Sequence, residues 1–432
     1  MKPEKTGELP KGFRKMNVEE RRETLKTALA PCPEEMDCSL PNGPALELAD
    51  LMVESAVGAV PVPLGIATGF LIDGRRVDLP MATEEPSVIA AAAFAGGLIA
   101  RSGGFETWAT DPIMSGHVYL ADVSAEGYAA LLGAGEAVRE TLASSLASLG
   151  RRGGGFRGFS VSRLPDTELV RADIEVDVRD AMGANILNGA AETLRPRLEA
   201  LSGGRALMCI LSNAAVARRA GARFALPLSE LRRALAPGWT AEEAAKRLVL
   251  AVDLARRDPL RAVTHNKGIM NGVGALALAT FNDWRAIEAA AHAWAARDGA
   301  YRGLGDYRIE GDKLVGELEL PLPFATAGGA VSLHPSARLS LRILGEPDAV
   351  GLSRIAAALG LAQNLAALLA LVTEGIQGGH MRLHAARLAY LAGARGEAAR
   401  RAGELLAHRG SFDLAEARRV VGELGRGAGE GA

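Results

Sequence analysis

LVRADIEVDVRDAMGAN, residues 169–185, decides how the middle of this 432-residue chain folds. Ile174, Val176 and Val178 alternate with Asp173, Glu175 and Asp177, the period of two expected of a strand with one buried face. The strand ends against a glycine-containing helix start at Asp180–Asn185. Upstream, residues 117–123 and 159–163 read as strands, residues 127–149 as a helix, and RRGGG at 151–155 as a glycine break. Downstream, a helix is expected over 182–201 and a strand over 205–211. The order β-α-β-β-α-β is that of a split-βαβ, ferredoxin-like unit.

Further out, Leu64 to Thr83 alternates as a hairpin turned at Asp73-Gly74, a favoured two-residue turn. The small-residue helix of ATEEPSVIAAAAFAGGLIA, residues 82–100, follows. Thr240 with Glu243 forms a capping box for a helix ending near Arg257, before Asp258-Pro259. Residues 307–320 read as a second hairpin, turned at Glu310-Gly311-Asp312. From about Gly375 the tail reads as helical and ends in GRGAGEGA, residues 425–432, a composition suited to disorder.

Bulk composition bounds the rest. A chain of 432 residues exceeds what one core fills, so two or three domains are expected. Aromatics are only 4%, so the core must come from Ala, Leu and Val, with helices in close approach. A net charge of −2, with no basic run interleaved with aromatics, argues against a nucleic-acid partner. Ile89–Ala100 is too short for a membrane span, and Ile355–Val372 holds Gln363 and Asn364 near its middle. Both read as buried helices. The N-terminal residues show no apolar signal region. Cys32, Cys38 and Cys209 form no CxxC pair and an odd count, which argues for a reducing cytoplasm and against disulfides or a metal site.

The glycine pattern Gly272-Val273-Gly274-Ala275-Leu276-Ala277 imitates a dinucleotide fingerprint, and Gly133-Ala134-Gly135 does so in part. That fingerprint needs a buried strand directly before the first glycine. Gly272 follows the polar THNKGIMN, so a helix start is expected there and no Rossmann unit.

Four segments are chemically odd for their surroundings. Glu84-Glu85-Pro86-Ser87 precedes an apolar helix, where acids also favour the helix dipole and Pro suits a first turn. RAVTHNKGIMNG, residues 261–272, gathers Arg, Thr, His, Asn and Lys between apolar stretches. In FNDWRA, residues 281–286, Asp283 reads either as a helix cap or as a functional acid; in GGHMRLH, residues 378–384, His380 follows two glycines. Together a lysine, two carboxylates and a histidine make an acid–base set suited to reducing a carbonyl. The strand-to-helix turn VDVRDAMGAN, residues 176–185, reads as a structural turn or as a site where backbone N–H groups take a pyrophosphate.

Taken together, PMATEEPS (80–87), DAMGAN (180–185), THNKGIMNG (264–272), FNDWRA (281–286), LAQNL (361–365) and GIQGGHM (375–381) resemble the class II 3-hydroxy-3-methylglutaryl-coenzyme A (HMG-CoA) reductases. They fall in that family's order, and the resemblance runs from about Leu9 to about Arg395. It implies an α+β chain with a large helix-rich acyl-CoA domain over residues 1–109 and 216–374. A small ferredoxin-like nicotinamide-cofactor domain over 110–215 is inserted in it, and residues 375–432 form a C-terminal flap with a disordered tail. It implies Glu85, Lys267, Asp283 and His380 as the catalytic set. Lys267 would stabilise an oxyanion, with Asp283 hydrogen-bonded to it. Glu85, kept protonated by burial and neighbours, would supply a proton, and His380 would protonate the departing CoA thiolate.

By the same resemblance Arg261, Ser87, Asn271 and Gln363 hold the HMG moiety, and Arg14 in KGFRKM contacts CoA phosphate. Asp180, Met182, Gly183, Asn185 and Asn213 line the cofactor site, with no metal involved. The family's E-N-x-[IV]-G segment is matched by ESAVG, residues 54–58, where Ser55 replaces the Asn. NADH-specific relatives have an Asp near the glycine turn; TLASSLASLGRRGGG, residues 141–155, offers Arg151 and Arg152 instead, which leaves NADH and NADPH both open. The implied substrates are HMG-CoA and mevalonate, the implied assembly a homodimer or an oligomer of dimers, and the implied location cytoplasmic, with no membrane or nucleic acid. The competing expectations are a reductase of the same fold for another acyl-CoA, and a silent CoA- or nucleotide-binding protein.

Overall fold

Strands β1 (Leu64–Ile72) and β2 (Arg75–Ala82) pair as the expected antiparallel hairpin. Asp73 and Gly74 at its tip take φ of 47° and 77°, the two left-handed residues that a type I′ turn needs. This computed structural model describes residues 60–373, 385–410 and 412–427, together with residues 9, 10, 12, 13, 16, 20, 23, 24, 27, 28, 48 and 51–53. Arg14, Cys32, Cys38, the ESAVG segment and His380 lie outside the described residues.

After the hairpin come α1 (Val88–Ala100), β3 (Glu106–Ala109) and β4 (Ile113–Ala121). The single helix expected over 127–149 is three short ones: α2 (Ala125–Leu132), α3 (Gly135–Leu142) and α4 (Ala147–Gly150). The chain breaks at Gly133 and again where the Ser145 hydroxyl donates to the Leu142 carbonyl at 3.1 Å, a local bond that competes with continuing the helix. The Gly133-Ala134-Gly135 pattern is therefore a helix break. Then follow β5 (Gly155–Arg163), β6 (Val170–Asp177), α5 (Ala184–Ser202) and β7 (Arg205–Leu211). The four strands lie in the order β5-β6-β4-β7 with every neighbour antiparallel, the connectivity that a split β-α-β unit requires. Met114, Val118, Ile174 and Val176 face α5 across a core of their own with Leu187, Leu194 and Leu198.

The rest of the chain returns to the first elements. Strand β8 (Arg219–Pro227), α6 (Leu228–Arg233), α7 (Ala241–Arg257), α8 (Pro259–Ala279) and α9 (Trp284–Ala295) lead to β9 (Asp306–Glu310) and β10 (Lys313–Pro321). The capping box is present, with Thr240 accepting from the Glu243 N–H at 3.1 Å. The second hairpin turns at Gly311, φ 58°. Strands β3, β8, β10 and β9 form a second four-stranded antiparallel sheet in that order. Helices α10 (Gly329–Leu333), α11 (Pro335–Ile343) and α12 (Ala349–Val372) follow. After them come a helical turn over 385–391, α13 (Gly396–Arg409) and α14 (Leu414–Gly427), which have a separate small core. Helix α14 takes in the first three residues of GRGAGEGA; residues 428–432 lie outside the described residues.

Helix α12 is long and apolar enough to cross a membrane by length and composition, but it is the central strut of the main core. Leu352, Leu359, Leu361 and Leu365 are buried on several sides of it, as a helix that is apolar all round must be. Each such side chain contributes about 1.5–3 kcal/mol of burial. Its close neighbour is α8, and here the false dinucleotide pattern finds its reason. GVGALA does not start a helix; it lies inside the 21-residue α8. A Cβ on Gly272 would stand 3.2 Å from Leu359 and Gln363 of α12, so the glycine is there to let two helices approach.

Candidate active site

Helix α8 presents different chemistry on its two faces. His265 and Asn266 point inward and are structural: Asn266 accepts from the Leu304 N–H at 2.7 Å and donates to the Arg302 carbonyl at 2.9 Å. The His265 Nε2–H donates to the Leu304 carbonyl at 2.8 Å, which leaves Nδ1 unpartnered and unprotonated. Burial, with a smaller contribution from nearby Arg261, pulls the His265 pKa down to about 4. The sign follows directly. Above pH 6.5 the ring is neutral folded or unfolded, and below it the unfolded chain takes up a proton that the folded chain refuses. Stability should therefore fall by about 3 kcal/mol between roughly pH 6.5 and pH 4, read as a falling urea midpoint. A His265→Gln variant that lost the same stability over that window would remove this explanation.

The next residue after Asn266, Lys267, points outward. Its Nζ lies 2.8 Å from Glu85 Oε2, across 182 residues of sequence. Glu85 is set by the bend before α1, where its N–H donates to the Thr83 hydroxyl at 3.1 Å. The alternative reading of the two acids as first-turn residues does not hold, because α1 starts at Val88 with Ser87 as its N-cap in a left-handed conformation, φ 70°. The expected burial of Glu85 does not hold either; its side chain keeps 35% of its surface and that of Lys267 keeps 59%.

Asp283 is placed differently from expectation. It caps α9, accepting from the Ala286 N–H at 3.1 Å, and its side chain meets Arg285 at 3.4 Å. Among the described residues Lys267 pairs with Glu85 and not with Asp283, because the cap holds the Asp283 carboxylate on its own helix. Asn271 lies one turn beyond Lys267 on the same face of α8, while Arg261 stands near the start of that helix, close to His265. Gln363, 4% exposed, has its Cβ beside Gly272, the residue after Asn271, and its Oε1 has no partner among the described residues. An unpaired buried acceptor is expensive.

On the other side, the loop after β6 holds the remaining candidates. Helix α5 opens on Gly183, φ 105°, with no side chain capping it, so its first N–H groups are open to an anion. No other residue fits, since a Cβ there would stand 2.9 Å from Val178. Asn185 is exposed in the first turn of α5, and Asn213 is exposed just past β7. Asp180 is turned away from this opening; its carboxylate accepts from the Ala349 N–H at the start of α12 at 3.0 Å. At the glycine turn, the Gly153 carbonyl accepts from Arg157 and Arg179 at 2.9 and 2.7 Å. Buried Asp177 holds Arg157 at 2.9 Å, and Arg151 and Arg152 are exposed beside it.

The family model for hydroxymethylglutaryl-coenzyme A reductase matches residues 17–385. The chain belongs to the hydroxymethylglutaryl-coenzyme A reductase family. It is 41% identical to the HMG-CoA reductase of Archaeoglobus fulgidus over 96% of this chain and 94% of that one. A probable HMG-CoA reductase of Borreliella burgdorferi is 34% identical over 89% and 87%. The solved HMG-CoA reductase of Streptococcus pneumoniae superposes with a TM-score of 0.80 at 40% identity, covering 96% of this chain and 99% of that one. A class II enzyme from the same organism, solved bound to NADPH in open conformations, gives 0.79 at 39% identity over 84% and 99%. Function follows family here: this is an oxidoreductase with HMG-CoA reductase activity.

Two residues of this HMG-CoA reductase site escaped the sequence reading. Arg218 is 3% exposed and lies between the Asp180–Gly183 loop and the chain after β10. Asn282 is buried against the backbone of Ala325. For Arg218 the neighbouring Arg219 looks identical in sequence, so no local signal separates the buried arginine from the half-buried one. Asn282 was visible inside FNDWRA but was overshadowed by the acid beside it.

Proposed function

We propose that the chain interconverts HMG-CoA and mevalonate plus CoA by two hydride transfers, at a site built from Glu85, Lys267, Asp283 and His380. The observation that carries this is the Lys267–Glu85 pair, which joins an ammonium and a carboxylate from distant parts of the chain at 2.8 Å. Two nicotinamide cofactors, bound in turn, would each supply one hydride. Lys267 stabilises the oxyanion as the thioester carbonyl becomes a hemithioacetal, and Glu85, which acts in its protonated form once substrate is bound, delivers a proton to that oxygen. As the hemithioacetal collapses to mevaldehyde, its hydroxyl proton returns to Glu85 and His380 protonates the departing CoA thiolate. Lys267 and Glu85 then repeat their roles on the aldehyde. Asp283, fixed by its cap on α9, is the second carboxylate of the set. Arg261, Ser87, Asn271 and Gln363 take the HMG carboxylate and hydroxyl, and Arg14 a CoA phosphate.

The cofactor fits at the open start of α5, with Met182, Gly183, Asn185 and Asn213 around it and Asp180 bracing the loop from behind. The arginines about the glycine turn favour a 2′-phosphate, so NADPH is proposed as the better donor with NADH as an alternative. The unit around the β5-β6-β4-β7 sheet is then the cofactor domain of residues 110–215, and residues 1–109 with 216–374 form the acyl-CoA domain. Residues 375–432 form the flap that brings His380 to the site. A homodimer is supported by Leu250, Leu254, Leu260 and Val263, large apolar side chains exposed on α7 and at the start of α8 beside Lys267. A cytoplasmic location is supported by the cysteine usage.

The test follows nicotinamide absorbance with HMG-CoA and either cofactor, first for the native chain and then for Arg261→Ala. Turnover is expected with both, faster with NADPH. Arg261→Ala should raise the KM for HMG-CoA by roughly a hundredfold, the scale of a lost charge-assisted bond, with the cofactor KM unchanged. Equal loss of both would defeat the HMG assignment and favour a different acyl group.

A further inference from the structure

Arg218 is a buried cation without a carboxylate partner. Among the described residues it makes no ion pair; its Nη1 donates to the carbonyls of Ala181 at 3.0 Å and Met182 at 3.4 Å, and its Nη2 to that of Phe324. Desolvation draws its pKa down to about 10, against the opposing pull of Asp180 and Asp177, so it stays charged at neutral pH. Burying a charge against neutral carbonyls alone is unfavourable, and a well-packed apolar side chain would serve stability better. What the guanidinium does that an apolar group cannot is grip two loops at once.

Those loops belong to the two sides of the site. Residues 322–327 run as a strap between them. At its first residue the Leu322 N–H donates to the Arg218 carbonyl at 3.1 Å, and at its last the Thr326 and Ala327 N–H groups reach the Asp180 carbonyl at 2.9 and 3.1 Å. Just before that second end, Asn282 Oδ1 accepts from the Ala325 N–H at 2.6 Å while its Nδ2 donates to the Ala325 carbonyl at 3.1 Å. Asn282 is adjacent to Asp283, and the residue before it, Phe281, is held left-handed at φ 53° by stacking on His334 with ring centroids 3.7 Å apart. A left-handed phenylalanine is strained, and it persists because the strap and the stack fix the turn on both sides.

We propose that Arg218 is a positioning residue that ties the Asp180–Gly183 loop, through the strap of residues 322–327, to the Asn282–Asp283 turn, so that cofactor and catalytic acid keep one relative placement. The proposal rests on the reading that this loop takes the cofactor and that Asp283 acts on the substrate. It assigns to Arg218 a role exerted through its neighbours, with no contact to substrate or cofactor required.

The experiment is a double-mutant cycle with Arg218→Lys, which keeps the charge but loses the fork, and Asn282→Ala, which removes the hold on the strap at Ala325 from the Asp283 side. KM for the cofactor, KM for HMG-CoA and kcat are measured on each full-length enzyme. Each single variant is expected to raise the cofactor KM by roughly tenfold and to lower kcat, with the HMG-CoA KM within about twofold. The double variant should cost little more than the worse single one. Asn282→Ala alone keeps the idea testable if Arg218→Lys does not fold, because Asn282 does not touch the cofactor loop and a purely local role would leave the cofactor KM unmoved. Additive effects, or an unchanged cofactor KM in Asn282→Ala, overturn the coupling. An unchanged cofactor KM in Asn185→Ala, outside the strap, overturns the cofactor-loop reading and the proposal with it.

Discussion

Replacing Lys267 by alanine is expected to lower turnover about a thousandfold in HMG-CoA reduction, mevaldehyde reduction and mevalonate oxidation alike. Each of these steps develops or starts from negative charge on one carbon-bound oxygen, which in the proposed mechanism the Lys267 ammonium meets. The variant also strips Glu85 of its partner at 2.8 Å, so proton delivery loses its geometry together with the charge. Stability should change little: the Lys267 side chain is 59% exposed, and surface substitutions outside special contacts stay within about 0.5 kcal/mol. The measurement is steady-state kinetics of all three reactions alongside thermal unfolding. Mevaldehyde reduction near the native rate, with a native unfolding midpoint, would show that the charge is stabilised elsewhere.

A second large effect should be selective. His380→Gln is expected to slow HMG-CoA reduction by about 10²–10⁴-fold, the usual range for losing a general acid, while mevaldehyde reduction stays within a few-fold of native. The asymmetry comes from the leaving group. Only the thioester step expels a thiolate that needs a proton, whereas the aldehyde step ends in an alkoxide served by Glu85 and Lys267. Parallel loss of both reactions would mean that His380 acts on the oxygen or holds the flap, and the thiolate role would have to be abandoned.

Local features were legible in the residues because short-range physics sets them. The Asp73-Gly74 turn, the alternation of Ile174, Val176 and Val178, and the Thr240 cap are each decided by side chains within one turn or one pleat, so their sequence spacing already states the geometry. The same locality explains a miss. Residues 127–149 read as one helix, yet three form, because Gly133, Gly135 and the serines at 144 and 145 lower the helix propensity at the two breaks.

Sequence by itself determined the family, through six motifs in a fixed order, and with it supplied the acid–base set that we propose. Only the tertiary structure decided who touches whom. It paired Lys267 with Glu85 and left Asp283 on its own helix. It placed Gly272 inside α8, where it admits α12, and it buried Arg218 while leaving Arg219, the next residue, half-buried on β8 beside Glu319. Pairings across 100 residues or more are set by how whole helices and sheets pack, and a side chain's sequence neighbours hold no record of that.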